Sequence, residues 1–417
     1  MPEHRVSAWI QAFVTTAGTA GKSVFRQTRR TLMALLAVAF GVISLILAGG
    51  FIDWNLRFGR EATIHSQLGH IRIHLPGYLD EGHARPHDFL FSPTGGPLSA
   101  ALKSEHIVAV APRLSFNGLA STGEQTLSFI GEGVDPAAEA TLSRSIRIET
   151  GRALSGDDDA AVMLGKGLAA NLGARPGDRI VLMSSTRRGG VSAVEVEVVG
   201  IFSSITKAYD DAALRVPLAT AQRLAQAGGV HALAVVLDDT AATDAELGRL
   251  RQVLGDRFET VPWYELADFY RKTAALFAKQ VAMVHLIIAA IIVLSISNSM
   301  MMAVLERTRE IGTAMALGVP RGRILLNFLI EGLLVGLVGA VAGVVIGGAL
   351  AMLISAVGIP MPPGPGMAFS FRAGILVTPA AALQAVALAL GTTFLASLYP
   401  AYRASRMTIV DALRTGT

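Results

Sequence analysis

Four long apolar runs, three of them without charge, decide what this chain can become. Residues 32–52, 281–305 and 373–402 contain no Asp, Glu, Lys or Arg, and 324–369 contains only Glu331. A helix that crosses a bilayer needs about 20 mostly apolar residues, and each run is long enough. A soluble helix rarely stays uncharged for that distance, because one of its faces meets water. The expected fold class is therefore a polytopic α-helical membrane protein with four transmembrane helices, at 31–52, 274–305, 324–358 and 378–402. Only 16% of the residues are charged, and most of these lie between Asp53 and Lys279. Residues 53–273 thus read as a large mixed α+β extracytoplasmic (periplasmic) domain between the first two spans. Cysteine is absent, so that domain is held by its own core, without disulfides.

Loop charge sets the orientation, since Lys and Arg collect in short loops on the cytoplasmic side. Arg5, Lys22, Arg26, Arg29 and Arg30 precede the first span, while Arg307, Arg309, Arg321 and Arg323 separate the second and third. Arg403, Arg406 and Arg414 follow the fourth, whereas 359–377, a rigid Pro/Gly-rich loop, holds only Arg372. Both termini are expected in the cytoplasm of a bacterial inner membrane. The first apolar run exceeds the usual signal-peptide core, so it reads as an uncleaved anchor. Residues 1–30 read as a cytoplasmic amphipathic segment or a plain solvated leader.

Within 53–273, alternating or short apolar runs mark strands at 69–75, 127–130, 161–164, 180–183 and 194–201. Residues 168–172 and 219–227 read as short helices, and 81–97 as a loop. A long helix is expected to start near Pro262, which suits a first helical position, and to run through Asp268, Arg271 and Lys279 into the second span as a stalk. The third span carries Gly332, Gly336, Gly339, Gly343 and Gly347, with Gly348 beside the last. Their steps of four and three keep them on one face, where another helix can approach closely. That face suits either another subunit or ordinary packing inside the chain.

The stretch 306–323 follows the second span. Glu306 and Glu310 share a helical face, Arg309 can pair with Glu306, and Gly318 with Pro320 stops the helix. A compact charged helix between two spans suits docking of a soluble partner; a charged loop obeying the topology rule is the alternative. Residues 16–23 (Thr-Ala-Gly-Thr-Ala-Gly-Lys-Ser) approach a phosphate-binding loop. They lack its first glycine and a preceding strand, so ATP, if used, is bound by another chain. His65, His70, His74, His83 and His87 cluster in sequence, but their spacing matches no metal pattern, and solvated histidines are expected. Glu331 is placed near the cytoplasmic end of the third span, to pair with Arg323 or a loop arginine. No Gly-x-Ser-x-Gly or His-Glu-x-x-His run supports hydrolase chemistry. Catalytic residues and metal ligands are therefore expected to be none, and the basic residues flank spans, so nucleic acid is not an expected partner.

The run Asn298…Glu306-Arg307…Glu310-Ile311-Gly312…Ala316-Leu317-Gly318…Glu331-Gly332 resembles the signature of FtsX-like permeases. Residues 399–414 are similar to the closing motif of that family, with Thr408-Ile409 where proline is common. Residues 161–173, 177–178 and 198–202 resemble its periplasmic domain. The family includes MacB-like efflux permeases and the lipoprotein-releasing LolC/LolE-type permeases of ABC transporters. The resemblance implies four spans, a dimeric membrane unit formed with a second permease copy or paralogue, and a separate ABC ATPase dimer that carries ATP and Mg. It makes Glu306, Arg307, Arg309, Glu310, Ile311, Gly312, Leu317 and Gly318 ATPase-coupling positions. Only 30 residues precede the first span, which points to the LolC/LolE-type branch. The implied function is mechanotransmission. ATP hydrolysis on the partner moves the periplasmic domains, which lift lipoproteins or lipids from the membrane toward a periplasmic lipoprotein carrier. Peptide or drug efflux through an exit duct, or regulation of a cell-wall hydrolase, are the alternatives.

Overall fold

A computed structural model describes residues 28–82, 84–363 and 367–409. The expected N-terminal amphipathic segment, the 16–23 loop, His83 and the end of the closing motif lie outside the described residues. The chain divides into two compact units. One comprises the residues up to Leu56, Ala275–Ile359 and those from Arg372 onward; the other comprises Arg57–Ala274 with Pro360–Phe371.

Among the described residues, four helices are long and apolar enough to cross a membrane: α1 (Thr28–Thr63), α2 (Asp268–Glu306), α4 (Arg321–Val357) and α5 (Pro379–Ser405). In hydrocarbon every backbone polar group must be satisfied internally, which the α-helix does within one segment. Between α2 and α4 lies the short helix α3 (Thr308–Ala316). Inside the helical unit, α1 packs on α2, with Gly41 against Ile288 and Ile292. A core of Val38, Val42, Ile292, Ile296, Ala340 and Ala389 runs between the helices. The outward positions remain apolar, as at Leu286 and Leu294, because their solvent is lipid rather than water.

Several boundaries differ from expectation. Helix α1 runs past residue 52 to Thr63 and ends in a π-helical turn at Ile64–Leu68. Pro262 does not open the long helix. It closes a strand, a short helix Trp263–Leu266 follows, and Ala267 (φ −89, ψ 62) breaks the backbone before α2 begins at Asp268. Between the end of α2 at Glu306 and the start of α4 at Arg321, the chain is helical over Thr308–Ala316, and Gly318 (φ 89°) and Pro320 separate that helix from α4. The 359–377 loop is partly ordered by strands Ile359–Met361 and Phe371–Ala373. Its 360–371 portion belongs to the α/β unit, where Met367 bridges Thr206 and Phe371 stacks on Phe58 at 4.7 Å.

The α/β unit is built on one mixed sheet of ten strands among the described residues. They are β1 (Ile71–His74), β2 (Ile107–Ser121), β3 (Thr126–Val134), β4 (Arg147–Gly151), β5 (Ala161–Gly165), β6 (Arg179–Ser185), β7 (Val191–Ser203), β8 (Ala213–Pro217), β9 (Ala232–Leu237) and β10 (Glu259–Pro262). Their order is β10-β1-β9-β2-β3-β8-β5-β7-β4, with β6 joining β2 and β7. The β3–β8 and β5–β7 pairs are parallel and the other pairs antiparallel. Helices Lys166–Leu172 and Leu218–Ala225 bury Leu168, Leu172, Ala221 and Leu224 against Leu114, Val162, Leu182 and Val198. Thr243–Leu254 covers a second core around Ile71, Ile73, Leu233 and Val235. Sequence alone misses β2, β4, β8, β9 and β10. Strand β2 hides its alternation behind Pro112 and the buried Arg113, while β8 and β9 are buried on both faces and show none.

Three of the five clustered histidines are structural rather than solvated, while His87 is half-buried. His65, His70 and His74 are all buried. His70 Nδ1 accepts the Leu237 amide at 3.0 Å, and His74 Nδ1 lies 3.1 Å from the Leu75 carbonyl. No group of three metal-ligating side chains occurs among the described residues.

Candidate functional site

Helix α3 begins where Arg307 (φ −95, ψ 11) interrupts helical geometry after α2. Its inner face is set by Ile311, which is buried in the core of the helical unit, and by buried Gly312. The outer face presents Glu306, Arg309, Glu310 and Thr313, followed by Leu317 at 82% exposure and Gly318. The eight expected coupling residues therefore separate by exposure. Glu306, Arg309, Glu310, Leu317 and Gly318 form an open surface, while Arg307, Ile311 and Gly312 seat the helix.

The seating contact is electrostatic. Arg307 Nη1 lies 3.1 Å from Glu331 on α4, with both side chains largely covered (17% and 13% exposed). Arg307, not Arg323, is thus the partner of Glu331. An ionisable group in a span is costly unless paired, and this pair joins the start of α3 to α4. The expected Glu306–Arg309 pair does not form, and neither Arg309 nor Glu310 enters an ion pair among the described residues. A crevice of about 30 Å³ lined by Thr31, Ser299, Glu331 and Gly332 lies beside the pair.

The glycine stripe on α4 is occupied by this chain's own helices. A Cβ on Gly332 would collide with Ser397 of α5, and one on Gly336 would meet Thr393 at 2.9 Å. One on Gly339 or Gly343 would meet Val38 or Val42 of α1 at 2.8 and 2.6 Å, and Gly347 faces Ile43. Gly348 alone of the group faces open space, with nothing within 4 Å.

A second polar assembly, in the α/β unit, escaped sequence reading. Across the sheet run Arg113 on β2, Glu132 on β3 and Arg215 on β8. Helix Pro136–Leu142 adds Glu139. Arg113 pairs with Glu132 at 3.0 Å and Glu139 at 2.9 Å, and Arg215 pairs with the same two carboxylates at 3.3 and 2.7 Å. The Tyr209 hydroxyl donates to Glu132 at 3.0 Å. Burial by itself would raise the Glu132 carboxyl; the guanidinium groups of Arg113, Arg215 and Arg72 override it and hold it at about 2. Arg215 also donates to the Ser66 carbonyl at 2.8 Å, and the Ser145 amide to the His65 carbonyl at 3.1 Å. On the same turn, Thr240 donates to Glu61 at 3.2 Å and lies 3.1 Å from His70 Nε2. These bonds fasten the last turn of α1 to the sheet. The signal in the sequence is one charged residue inside each otherwise uncharged strand: Arg113, Glu132 and Arg215.

Comparison with known proteins decides the family. Residues 31–253 match the MacB-like periplasmic core domain, and residues 282–409 match the FtsX-like permease C-terminal model. The chain belongs to the FtsX/MacB-like permease family. The permease is 29% identical to the macrolide export ATP-binding/permease protein MacB of Hyphomonas neptunium, over 99% of this chain and 63% of that relative. It is 31% identical to the protein of the same name from Brucella abortus, over 48% of this chain and 29% of the relative. The permease therefore spans less than two thirds of the length of these relatives. The crystal structure of the periplasmic region of MacB from Actinobacillus actinomycetemcomitans covers 48% of the permease and 92% of that chain, at 16% identity and a TM-score of 0.35. The α/β unit is the periplasmic domain of the family and the four long helices are its membrane part.

Proposed function

We propose that the chain is the permease subunit of an ATP-driven ABC transporter of the mechanotransmission type, working with ATP and Mg bound on a separate ATPase subunit. The observation that carries this reading is helix α3. It puts an exposed face of mixed charge at the end of an otherwise apolar bundle, seated by Ile311 and the Arg307–Glu331 pair. A soluble ATPase docks on Glu306, Arg309, Glu310, Leu317 and Gly318, with both termini on the same cytoplasmic side of the inner membrane. A second permease, a copy or a paralogue, completes the dimer. Motion at α3 reaches the periplasmic domain through α1 and α2. At about 1.5 Å per residue the 39 residues of α2 extend about 58 Å, roughly twice the hydrocarbon thickness.

The cargo is an amphiphile taken from the membrane, a lipoprotein or lipid, delivered to a periplasmic carrier. A second reading, export of a drug-like amphiphile, is favoured by the macrolide-export name of the relatives.

Reversing one charge on the docking face tests the central claim. With its ABC ATPase partner co-expressed, Glu310→Lys is expected to lose most ATPase co-purification while inserting normally. Retention of the ATPase together with undiminished cargo-stimulated hydrolysis sinks the docking assignment. Release of labelled lipoprotein from proteoliposomes, against release of a labelled macrolide, separates the two cargo readings.

A further inference from the structure

At the end of the helical unit remote from α3, a groove of about 340 Å³ opens between Trp54 on α1, the last turn of α4 and the 372–375 segment. Its base is tied down, since Ser355 Oγ accepts the Ile375 amide at 2.8 Å and the Leu376 amide donates to the Gly50 carbonyl at 2.9 Å. Gly374 keeps it open, since a Cβ there would meet Trp54 Nε1 at 3.1 Å, and Gly358 turns the chain out of α4 beside the Arg372 stem with a φ of 74°.

The chemistry of the walls is bipolar. Arg372 is exposed, with no carboxylate partner among the described residues, and it is the single cation between the third and fourth spans. A planar guanidinium binds phosphate through two parallel bonds. Ala356 and Val357, both exposed at the C-terminus of α4, also line the groove. The last carbonyls of a helix have no helical partners and carry the negative end of its dipole, which suits an ammonium group. Trp54, just past the first apolar run, belongs to the boundary layer where indole rings collect.

We infer that this groove binds the headgroup of a zwitterionic phospholipid of the phosphoethanolamine class, phosphate on Arg372 and ammonium on the end of α4. The inference needs only that the helical unit lies in a bilayer; it is independent of the ATPase and of the cargo. Phosphatidylglycerol offers the phosphate without the ammonium, and soluble glycerophosphoethanolamine offers the headgroup without the bilayer anchor.

Native mass spectrometry of the delipidated full chain, titrated with dioleoyl-phosphatidylethanolamine, dioleoyl-phosphatidylglycerol, glycerophosphoethanolamine or inorganic phosphate, tests it. One saturable phosphatidylethanolamine adduct is expected. Phosphatidylglycerol should bind roughly ten-fold more weakly, the loss of one charge-assisted hydrogen bond. Arg372→Gln should weaken the adduct by at least about ten-fold, Arg372→Lys by less, since it keeps the charge and loses the fork. Gly374→Leu, which fills the groove without touching the charge, should also abolish it. Equal binding of the two lipids, full binding by Arg372→Gln or Gly374→Leu, or no saturable adduct overturns the inference. Inorganic phosphate or glycerophosphoethanolamine binding as tightly as the lipid would make this a soluble-anion site and overturn the lipid assignment.

Discussion

His70 and His231 each sit in a slot that admits one protonation state. His231 Nδ1 accepts the Ser115 amide at 3.1 Å, its Nε2 faces the Pro86 carbonyl at 2.8 Å, and its ring stacks on Tyr78. His70 Nδ1 likewise accepts the Leu237 amide. A second proton would put two donors face to face. Burial pushes both imidazoles down to about 4, from an ordinary value of 6.5. Because the folded value is depressed, the stability these residues contribute is complete above pH 6.5 and is lost as the pH falls toward 4. Asp210 acts in the opposite sense, since burial raises its carboxyl from 3.8 to about 6. Its contribution is complete below about pH 4 and fades as the pH rises through 6. Thermal melts from pH 7 to 4.5 should show the periplasmic domain losing stability on acidification, with the slope reduced in His231→Gln and steepened in Asp210→Asn. Identical slopes in all three proteins would remove this account. A histidine can be counted in the sequence, but whether a backbone amide points at its ring nitrogen depends on a strand far along the chain.

The glycines of α4 carry the prediction at the scale of elements. Gly343→Leu drives a side chain into Val42 and the Ala39 carbonyl, and should lower the melting temperature of the detergent-solubilised protein by several degrees. Gly348→Leu, one position past the stripe, enters open space and should leave it unchanged. An equal loss in the two variants would mean that Gly348 also meets a neighbour, and the dimer fraction in gel filtration would then fall with it. The period of the glycines is legible from sequence. Which helices they receive is not, because 332 and 336 face α5 while 339 and 343 face α1. The same division holds for the spans themselves. Their apolar runs announce the helices, but the breaks at Ala267 and Arg307 lie in residues with no helix-stopping chemistry of their own.

Across the whole molecule, the fastening of α1 to the sheet and the break before α2 make the two connecting helices unequal. The end of α1 is held by Arg215, Ser145 and the Glu61–Thr240 contact, whereas α2 begins after the bend at Ala267 among exposed Asp268, Phe269 and Arg271. If motion passes between α3 and the periplasmic domain as proposed, inserting Gly-Gly into α1 after Arg57 should uncouple ATP hydrolysis from cargo release. The same insertion after Ala267, where the helix is already interrupted, should do so far less. Equal effects at the two sites would assign both helices the same part. The chain by itself determined that four segments cross a membrane, that a mixed α and β domain lies between the first two, and that a charged helix follows the second. Those properties are local: apolar length, alternation and caps are written in consecutive residues. Only the tertiary structure decided that Arg307 closes on Glu331, that Arg113, Glu132, Glu139 and Arg215 share one buried network, and that Trp54 and Arg372 flank one groove. Each of these joins residues at least 19 positions apart, and the cost of burying a charge is offset only by the partner that the completed fold brings to it.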